Sequence, residues 1–459
     1  MLADGVVKAA LAAALEGGGE VSEIFFEERT SSSMRLEQSR VEDVSSGRDA
    51  GAGIRVMAGD RASYAFTNVL TQESLVEVAR AAGAGLSSTR GIALDLTKRE
   101  AASHPVTRRP EEVDPGDKVA ALQTADAAAR DAGGEVAQVT ASYMDIRQRV
   151  MVANSEGLLA EDDRTRVRFA VQVVAARNGT IATGFEAPGH SGGYELLDVF
   201  TPAELGAKAG AKAVRMLDAR PSPAGQFPVV LAPGSGGVLI HEACGHGLEA
   251  DTLVKDASVY ARRQGERFGS EMVTIVDDAT ISGAWGSFAV DDEGTVAQRT
   301  VLFDRGVLVG HMSDRRAAVK IDHPPTGNGR RQSYAHLPIV RMTNTDLLPG
   351  PDDADEIIRS VAKGVYAGTF AGGEVNPATG NFVFGMSEAY WIENGEIAYP
   401  LKGGTLIGNG PEVLGAIEAI GSDFGRKEGV CGKDGQHAPV TNGMATVLLR
   451  TMTVGGTEA

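Results

Sequence analysis

Two imidazoles flank a carboxylate in the string His241-Glu242-Ala243-Cys244-Gly245-His246. This HExxxH pattern contains the ingredients of a hydrolytic metal site, with histidines to bind Zn²⁺ and Glu242 beside them to take a proton from water. The spacing departs from the familiar HExxH. On an ideal helix, ligands four residues apart lie about 40° apart around the axis, whereas five apart they lie about 140° apart and diverge. Convergence of His241 and His246 therefore predicts a local widening, a π-bulge or a break at Cys244-Gly245. One extra residue in the turn restores a common face there, and a glycine lowers the strain.

A third donor separates a metal site from two ordinary polar residues on an amphipathic helix. The chain has two cysteines, Cys244 and Cys431. Cys431 stands in Gly429-Val430-Cys431-Gly432-Lys433-Asp434-Gly435-Gln436, which reads as a polar, glycine-rich loop where a thiol is not obviously core, although free cysteines are commonly buried. Cys244 would compete with His246 for a helix face and reads as packing. Glu249, three residues past His246, reads as a fallback ligand or as a partner for an imidazole N–H.

Other polar clusters offer weaker chemistry. Asn328, Arg330 and Arg331, in Gly327-Asn328-Gly329-Arg330-Arg331, could hold an extended peptide or its carboxylate through backbone amides and guanidinium groups. The same residues also fit a solvated glycine-Asn turn. His336, between Tyr334 and Pro338, has the same two readings. Asp291-Asp292-Glu293 lacks the full ligand spacing of a calcium loop and reads as a solvated turn. His437, six residues past Cys431, is placed to line the site but is given no role.

The metal string needs a strand, a turn and a helix to present it. Phe227–Leu231 predicts a short buried strand, Pro233 to Gly237 a turn, and Val238 to Ala250 a helix. Upstream, an amphipathic helix over Met1–Gly17 precedes β-rich runs at Ile24–Glu27, Met34–Glu37 and Gly53–Val56, with a hairpin turn at Ala58-Gly59-Asp60. A helix from Thr71 to about Ala82 and a polar connection from Leu96 to Pro110 follow. Asp114-Pro115 opens another helix, and strands run from Val136 to about Ala187. Thr201-Pro202-Ala203-Glu204 is a capping box, and its helix ends near Leu217.

Residues 218–225 have the composition of a linker, which divides the chain into domains at 1–220 and 221–459. Beyond it, strands are expected at Val273–Val276, Val301–Phe303, Val307–Val309 and Ala445–Val454, with helices over Ala354–Tyr366 and Glu412–Ile420. The class is α+β: two domains with largely antiparallel sheets and the metal-site helix at the start of the C-terminal domain. The regular β-α-β alternation of a doubly wound fold is absent.

Composition narrows the partners. The chain of 459 residues is 42% hydrophobic and 23% charged, an ordinary globular mixture, and its 58 glycines with few aromatics suggest many tight turns between strands. With 61 acidic against 44 basic residues and a net charge of −17, nucleic acid and anionic membrane surfaces are excluded as partners. No apolar run reaches the roughly 18 residues of a membrane span. Two cysteines make no disulfide framework, and Lys8 inside the first apolar pattern argues against a signal peptide, so a cytoplasmic protein is expected.

Over nearly its whole length the sequence resembles the TldD/PmbA metallopeptidases, on the metal-bearing TldD side. The resemblance is carried by Leu36-Glu37 to Ser45-Ser46-Gly47, by Gly53-Ile54-Arg55-Val56, and by His241-Glu242-Ala243 with Gly245-His246-Gly247-Leu248-Glu249-Ala250-Asp251. It continues through Asp291-Asp292-Glu293-Gly294, Gly327 to Arg331, Ser333-Tyr334-Ala335-His336, Arg341-Met342-Thr343-Asn344-Thr345, Gly380 to Gly385 and Leu406 to Pro411. It implies a zinc peptidase whose ligands map onto His241, His246 and Cys431, with Glu242 as general base. It also implies a dimer, formed with itself or with a related metal-free subunit.

The leading expectation is a zinc-dependent peptidase acting on short unfolded polypeptides or modified peptide precursors. A zinc amidase acting on a small peptide-like metabolite would use the same residues in a narrower pocket. A noncatalytic binding or regulatory subunit is the remaining alternative, and the intact HExxxH with its distant cysteine argues against it.

Overall fold

The computed structural model describes residues 1–86, 95–101 and 104–456. Long hairpins build the N-terminal sheet. Strands Val21–Glu37 and Arg40–Ala58 pair antiparallel through a two-residue turn at Gln38-Ser39, both in the left-handed region that such hairpin turns demand. Val21–Glu37 also pairs antiparallel with Val136–Asn154, which pairs in turn with Leu158–Arg177. The runs read from sequence at residues 24–27 and 34–37 are thus two ends of one strand, because the polar stretch between them is hydrogen-bonded on both edges.

Two helix pairs cover this sheet. Helices Asp4–Leu15 and Gln72–Gly83 pack on Ile24, Phe26, Ile54 and Val56. Helices Pro115–Arg130 and Pro202–Met216 pack on Leu36, Phe169 and Val171. The expected caps are present: Thr71, Asp114 and Thr201 each accept a backbone N–H of the first turn. Gly206 lets the second pair touch, since a Cβ there would fall 2.1 Å from the Ala125 carbonyl oxygen. Part of the Leu96–Pro110 connection, residues 102 and 103, lies outside the described residues.

The C-terminal half contains two larger sheets. In one, Gly225–Leu231 lies between Lys363–Val375, its parallel neighbour, and Val447–Gly455. In the other, Ile275–Asp278, Asn344–Leu347, Gln436–Met444 and Gly425–Lys433 lie side by side in that order, with Gly425–Lys433 at the edge. One apolar core spans both sheets and includes Leu231, Leu239, Ile240, Ala243, Cys244, Met342, Leu347 and Met444. The class is α+β with largely antiparallel sheets, as the sequence predicts.

Two late helices are shorter than their patterns suggest. The first runs only over Ala354–Arg359, and Tyr366 lies in strand Lys363–Val375, where Val365, Tyr366 and Ala367 pair with Val229, Val230 and Leu231. The second spans Gly410–Ala416, and Ile417–Ile420 is a strand beside Val447–Leu449. In both cases the second part of the segment pairs with a neighbouring strand, and that pairing overrides helical periodicity.

The expectation of a solvated turn at Asp291-Asp292-Glu293 is wrong: all three are buried. Asp292 and Glu293 join an ionic network between the two halves of the chain, while Asp291 accepts backbone N–H groups of Glu293, Thr295 and Gly329. Glu293 pairs with Arg55, Arg55 with Glu23, Glu23 with Arg331, and Asp292 with Arg164. Buried charges need such partners, because an isolated one loses several kcal/mol of solvation. No helix of the described residues is long and apolar enough to cross a membrane.

Candidate metal centre

Strand Gly225–Leu231 delivers the chain to a glycine-rich turn at 233–236, and helix Gly237–Ile240 begins there. The helix does not continue as a regular α-helix. Residues His241–Gly245 form a π-helical turn, in which the N–H of His246 reaches back to the carbonyl of His241. A single 3₁₀ turn, His246–Leu248, follows, and Glu249 leaves the helix in extended conformation. The widening demanded by the five-residue spacing is therefore present where it was expected. The uninterrupted helix over 238–250 is not.

Gly245 serves packing rather than backbone strain. Its φ of −56° and ψ of −57° suit any residue, but a Cβ would lie 1.9 Å from the thioether sulfur of Met342. The widened turn is thereby pressed against the segment that leads into Asn344–Leu347.

The π-turn brings the two imidazoles together. Their ring centroids are 5.1 Å apart and their planes nearly perpendicular. Cys431 completes the set: its Sγ lies 3.3 Å from Nε2 of His241 and 3.3 Å from Nε2 of His246. The three donor atoms lie within 4.8 Å of one another, and all three residues are buried. Cys431 stands not in a loop but on strand Gly425–Lys433, opposite Ala438. The glycine-rich signal near it belongs to the Asp434-Gly435 hairpin turn, both residues with positive φ. The Arg341 guanidinium holds that hairpin by donating to the carbonyls of Cys431 and Gln436.

The electrostatics separate the two thiols. Burial would push the Cys431 thiol up, but the neighbouring His241 and His246 outweigh it and bring it down to about 4, so it is a thiolate at neutral pH. Cys244 lacks such neighbours, and burial drives it up to about 12. It packs in the core beside Tyr260, as expected. Burial also raises the Glu242 carboxyl, opposed by the two histidines, and its Oε2 lies 3.8 Å from Nε2 of His246.

Glu249 is no ligand in this arrangement. Its Oε2 lies 2.9 Å from Nδ1 of His246, which turns Nε2 toward the cysteine. Burial disfavours its ionised form, yet Lys433 and His246 bring it down to about 2.

The donor set suits a metal ion. A tetrahedral ion with N and S bonds of about 2.0–2.3 Å separates its N and S donors by about 3.5 Å. The two Sγ···Nε2 distances of 3.3 Å differ from that by little.

Asn328, Arg330, Arg331 and His336 do not join this group. Asn328 is buried and donates to Asp277 and to the Arg341 carbonyl. Arg330 donates to the carbonyls of Met342 and Pro439, and Arg331 is bound by Glu23 and the Asp292 carbonyl. Most of their side-chain donors bind groups inside the protein, where Asn328, Arg330 and Arg331 act as an internal brace. His336 pairs with Ser333 at 2.9 Å, and His437 is exposed.

Three consecutive stretches match one family: PmbA/TldA metallopeptidase domain 1 over residues 22–85, its central domain over 108–217, and its C-terminal domain over 224–456. The chain belongs to the PmbA/TldA metallopeptidase family. Among the relatives of this family, a metalloprotease TldD homolog of Haemophilus influenzae is 38% identical over 96% of this chain and 93% of its own length. A Methanothermobacter thermautotrophicus metalloprotease is also 38% identical, over 93% of both chains. Solved structures share the fold. A Thermotoga maritima protein, described as a candidate modulator of a DNA gyrase, superposes with a TM-score of 0.81 at 23% identity, covering 98% of this chain and 100% of its own. TldE from Thermococcus kodakarensis does so at 0.76 and 20% identity, over 97% and 99%.

Proposed function

We propose that this PmbA/TldA family member is a zinc-dependent peptidase that hydrolyses peptide bonds of short unfolded polypeptides or modified peptide precursors. His241, His246 and Cys431 hold Zn²⁺, and Glu242 is the general base. Residues 221–459 carry the chemistry, with residues 1–220 as the accompanying domain. The observation that carries this reading is the convergence of two imidazole nitrogens and one cysteine sulfur within 4.8 Å, beside the half-buried carboxylate of Glu242. Two nitrogens and a sulfur are a common donor set for zinc, and a Saccharolobus solfataricus relative, 35% identical over 62% of this chain, is named a zinc metalloprotease.

When bound, zinc polarises the scissile carbonyl and lets water attack near neutral pH. The chain's own residues do the rest. Glu242 takes the proton of the attacking water and hands it to the leaving amine. Glu249 keeps His246 in the tautomer that leaves Nε2 free as a donor. The Glu242 side chain is only 18% exposed and that of His246 only 9%, so an extended segment reaches them more readily than a folded surface does. We place the protein in the cytoplasm, consistent with its two free cysteines. It assembles as a dimer, with a second copy or with a related metal-free chain.

The test is elemental analysis of zinc per chain in the wild type and in Cys431→Ser, purified without chelator, followed by a peptide-cleavage screen. About one zinc in the wild type, much less in the variant, and metal-dependent cleavage are expected. A wild type that holds no zinc, alone or with a related chain, overturns the proposal.

A further inference from the structure

His246 and Cys431 come from elements 185 residues apart, and a direct tie between those elements runs through Lys433. Lys433 closes the strand that carries Cys431, two positions further on. Its ammonium lies 2.9 Å from Glu249 Oε2, 2.7 Å from Asp251 Oδ1 and 3.1 Å from the Val340 carbonyl oxygen. All three of its N–H donors are thereby used. The side chain is 12% exposed and that of Glu249 fully buried, so this pairing is not the screened, mobile kind found on surfaces. Glu249 Oε2 meets both the Lys433 ammonium and the His246 ring N–H. The contacts close a ring: Cys431 to Lys433 along the strand, Lys433 to Glu249, Glu249 to His246, and His246 back to Cys431.

We propose that Lys433 is a positioning residue that locks the Cys431 hairpin to the His246 turn through Glu249, and so sets how long the donor set stays assembled around its metal. The inference rests on the zinc reading above. Lys433 touches no donor atom itself. It fixes the carboxylate that orients one ligand while its backbone carries the other, and Asp251 and Val340 hold the ammonium from two further sides. Without it, Glu249 would keep a buried negative charge with His246 as its remaining hydrogen-bond partner, and the hairpin would be held by Arg341 with no direct tie to the His246 turn through Glu249.

The experiment is transfer of zinc from the full-length, zinc-loaded protein to a chromophoric chelator, for wild type, Lys433→Met, Glu249→Gln and the double variant. Circular dichroism of each metal-free protein serves as the fold control. Each single variant is expected to release zinc about ten- to a hundredfold faster than wild type, the range typical of lost outer-shell partners. The double variant is expected to be no faster than the faster single, because Lys433 acts through Glu249. A lysine that merely stabilised the fold would instead give two effects that multiply. In the Co²⁺-substituted protein, the thiolate charge-transfer band is expected to weaken or shift in Lys433→Met. Should that variant fail to fold, Lys433→Gln, which keeps a donor for the Val340 carbonyl, is read the same way. Wild-type release rates in folded Lys433 variants, or multiplying effects in the double variant, overturn the inference alone. A wild type with no zinc to release overturns the zinc reading together with it.

Discussion

The hydroxyl of Tyr260 donates to the carbonyl of Ala243 at 2.9 Å, from outside the helix into the widened turn that brings His241 and His246 together. The ring is held separately, edge-on against Phe268 and Phe303. Tyr260→Phe therefore removes the hydroxyl's bond to Ala243 and its longer contact with the Cys244 sulfur, and little packing. Leaving a buried carbonyl short of its donor is expected to cost about 1–3 kcal/mol. Urea unfolding of the metal-free protein measures the loss, and zinc binding is expected to weaken with it. Unchanged values for both would mean that the π-turn stands without Tyr260.

Glu242→Gln tests the general base. The amide keeps the shape of the side chain and leaves the three donor atoms untouched, so zinc content is expected to stay near that of wild type. Turnover is expected to fall about 10²–10⁴-fold, the usual contribution of a positioned base. Burial raises the Glu242 carboxyl, while the two histidines and a bound cation oppose it, and the wild-type rate should fall on the acid side as this base becomes protonated, a limb expected to be missing in the variant. Near-normal turnover in the variant would remove Glu242 from this role.

Gly245→Ala separates packing from backbone freedom. The backbone there is right-handed helical, where alanine is favoured over glycine by up to about 1 kcal/mol. The new methyl would nevertheless meet the Met342 sulfur, and overpacking of this kind costs about 1–3 kcal/mol. The substitution is expected to destabilise the wild type and to be neutral or stabilising in a Met342→Ala background. Equal effects in both backgrounds, read by urea denaturation, would show that Met342 is not the obstacle.

The convergence of His241 and His246 was more legible in the sequence than several of the strands around it, because its decisive feature is local. Five-residue spacing between two histidines that face one another requires a wider turn, whatever the rest of the chain does. The caps at Thr71, Asp114 and Thr201 were legible for the same reason. What sequence reading missed is non-local. Residues 354–366 and 412–420 carry helical periodicity, yet their second parts are strands, because edges from residues 229–231 and 447–449 stand beside them. Asp291-Asp292-Glu293 looks solvated in its own window, since nothing nearby reveals that Arg55 and Arg164 lie against it. The placement of Cys431 on a strand had a readable signal in Asp434-Gly435, the turn pair of a two-residue hairpin.

Arg331 distinguishes an internal brace from a substrate contact. Its guanidinium binds Glu23 at 2.9 Å and the Asp292 carbonyl at 2.7 Å, and lies 4.2 Å from the centre of the Phe25 ring. Arg331→Met keeps much of the bulk but leaves Glu23 with a single cation, Arg55. Breaking a buried pair of this kind costs about 3–5 kcal/mol. The expected outcome is a marked loss of stability in urea, with KM for any cleaved peptide little changed in the protein that remains folded. A large rise in KM at full stability would restore Arg331 to the substrate.

Asp314 predicts how stability depends on pH. Its Oδ1 accepts the Ala317 N–H and caps helix Arg315–Ile321, while burial and the nearby Glu293 push its carboxyl up to about 7. In the unfolded chain the same carboxyl titrates near its ordinary value of about 3.9. The folded state therefore binds this proton more tightly. The contribution is fully present below the unfolded value and is lost as pH rises through the folded one. Asp314→Asn keeps an oxygen to cap the helix but has no charge to bury. Relative to wild type, its urea midpoint is expected to improve between about pH 4 and about pH 7 and to hold that gain above it. A difference that stays constant or reverses over that interval would show that Asp314 is ionised in the folded protein throughout.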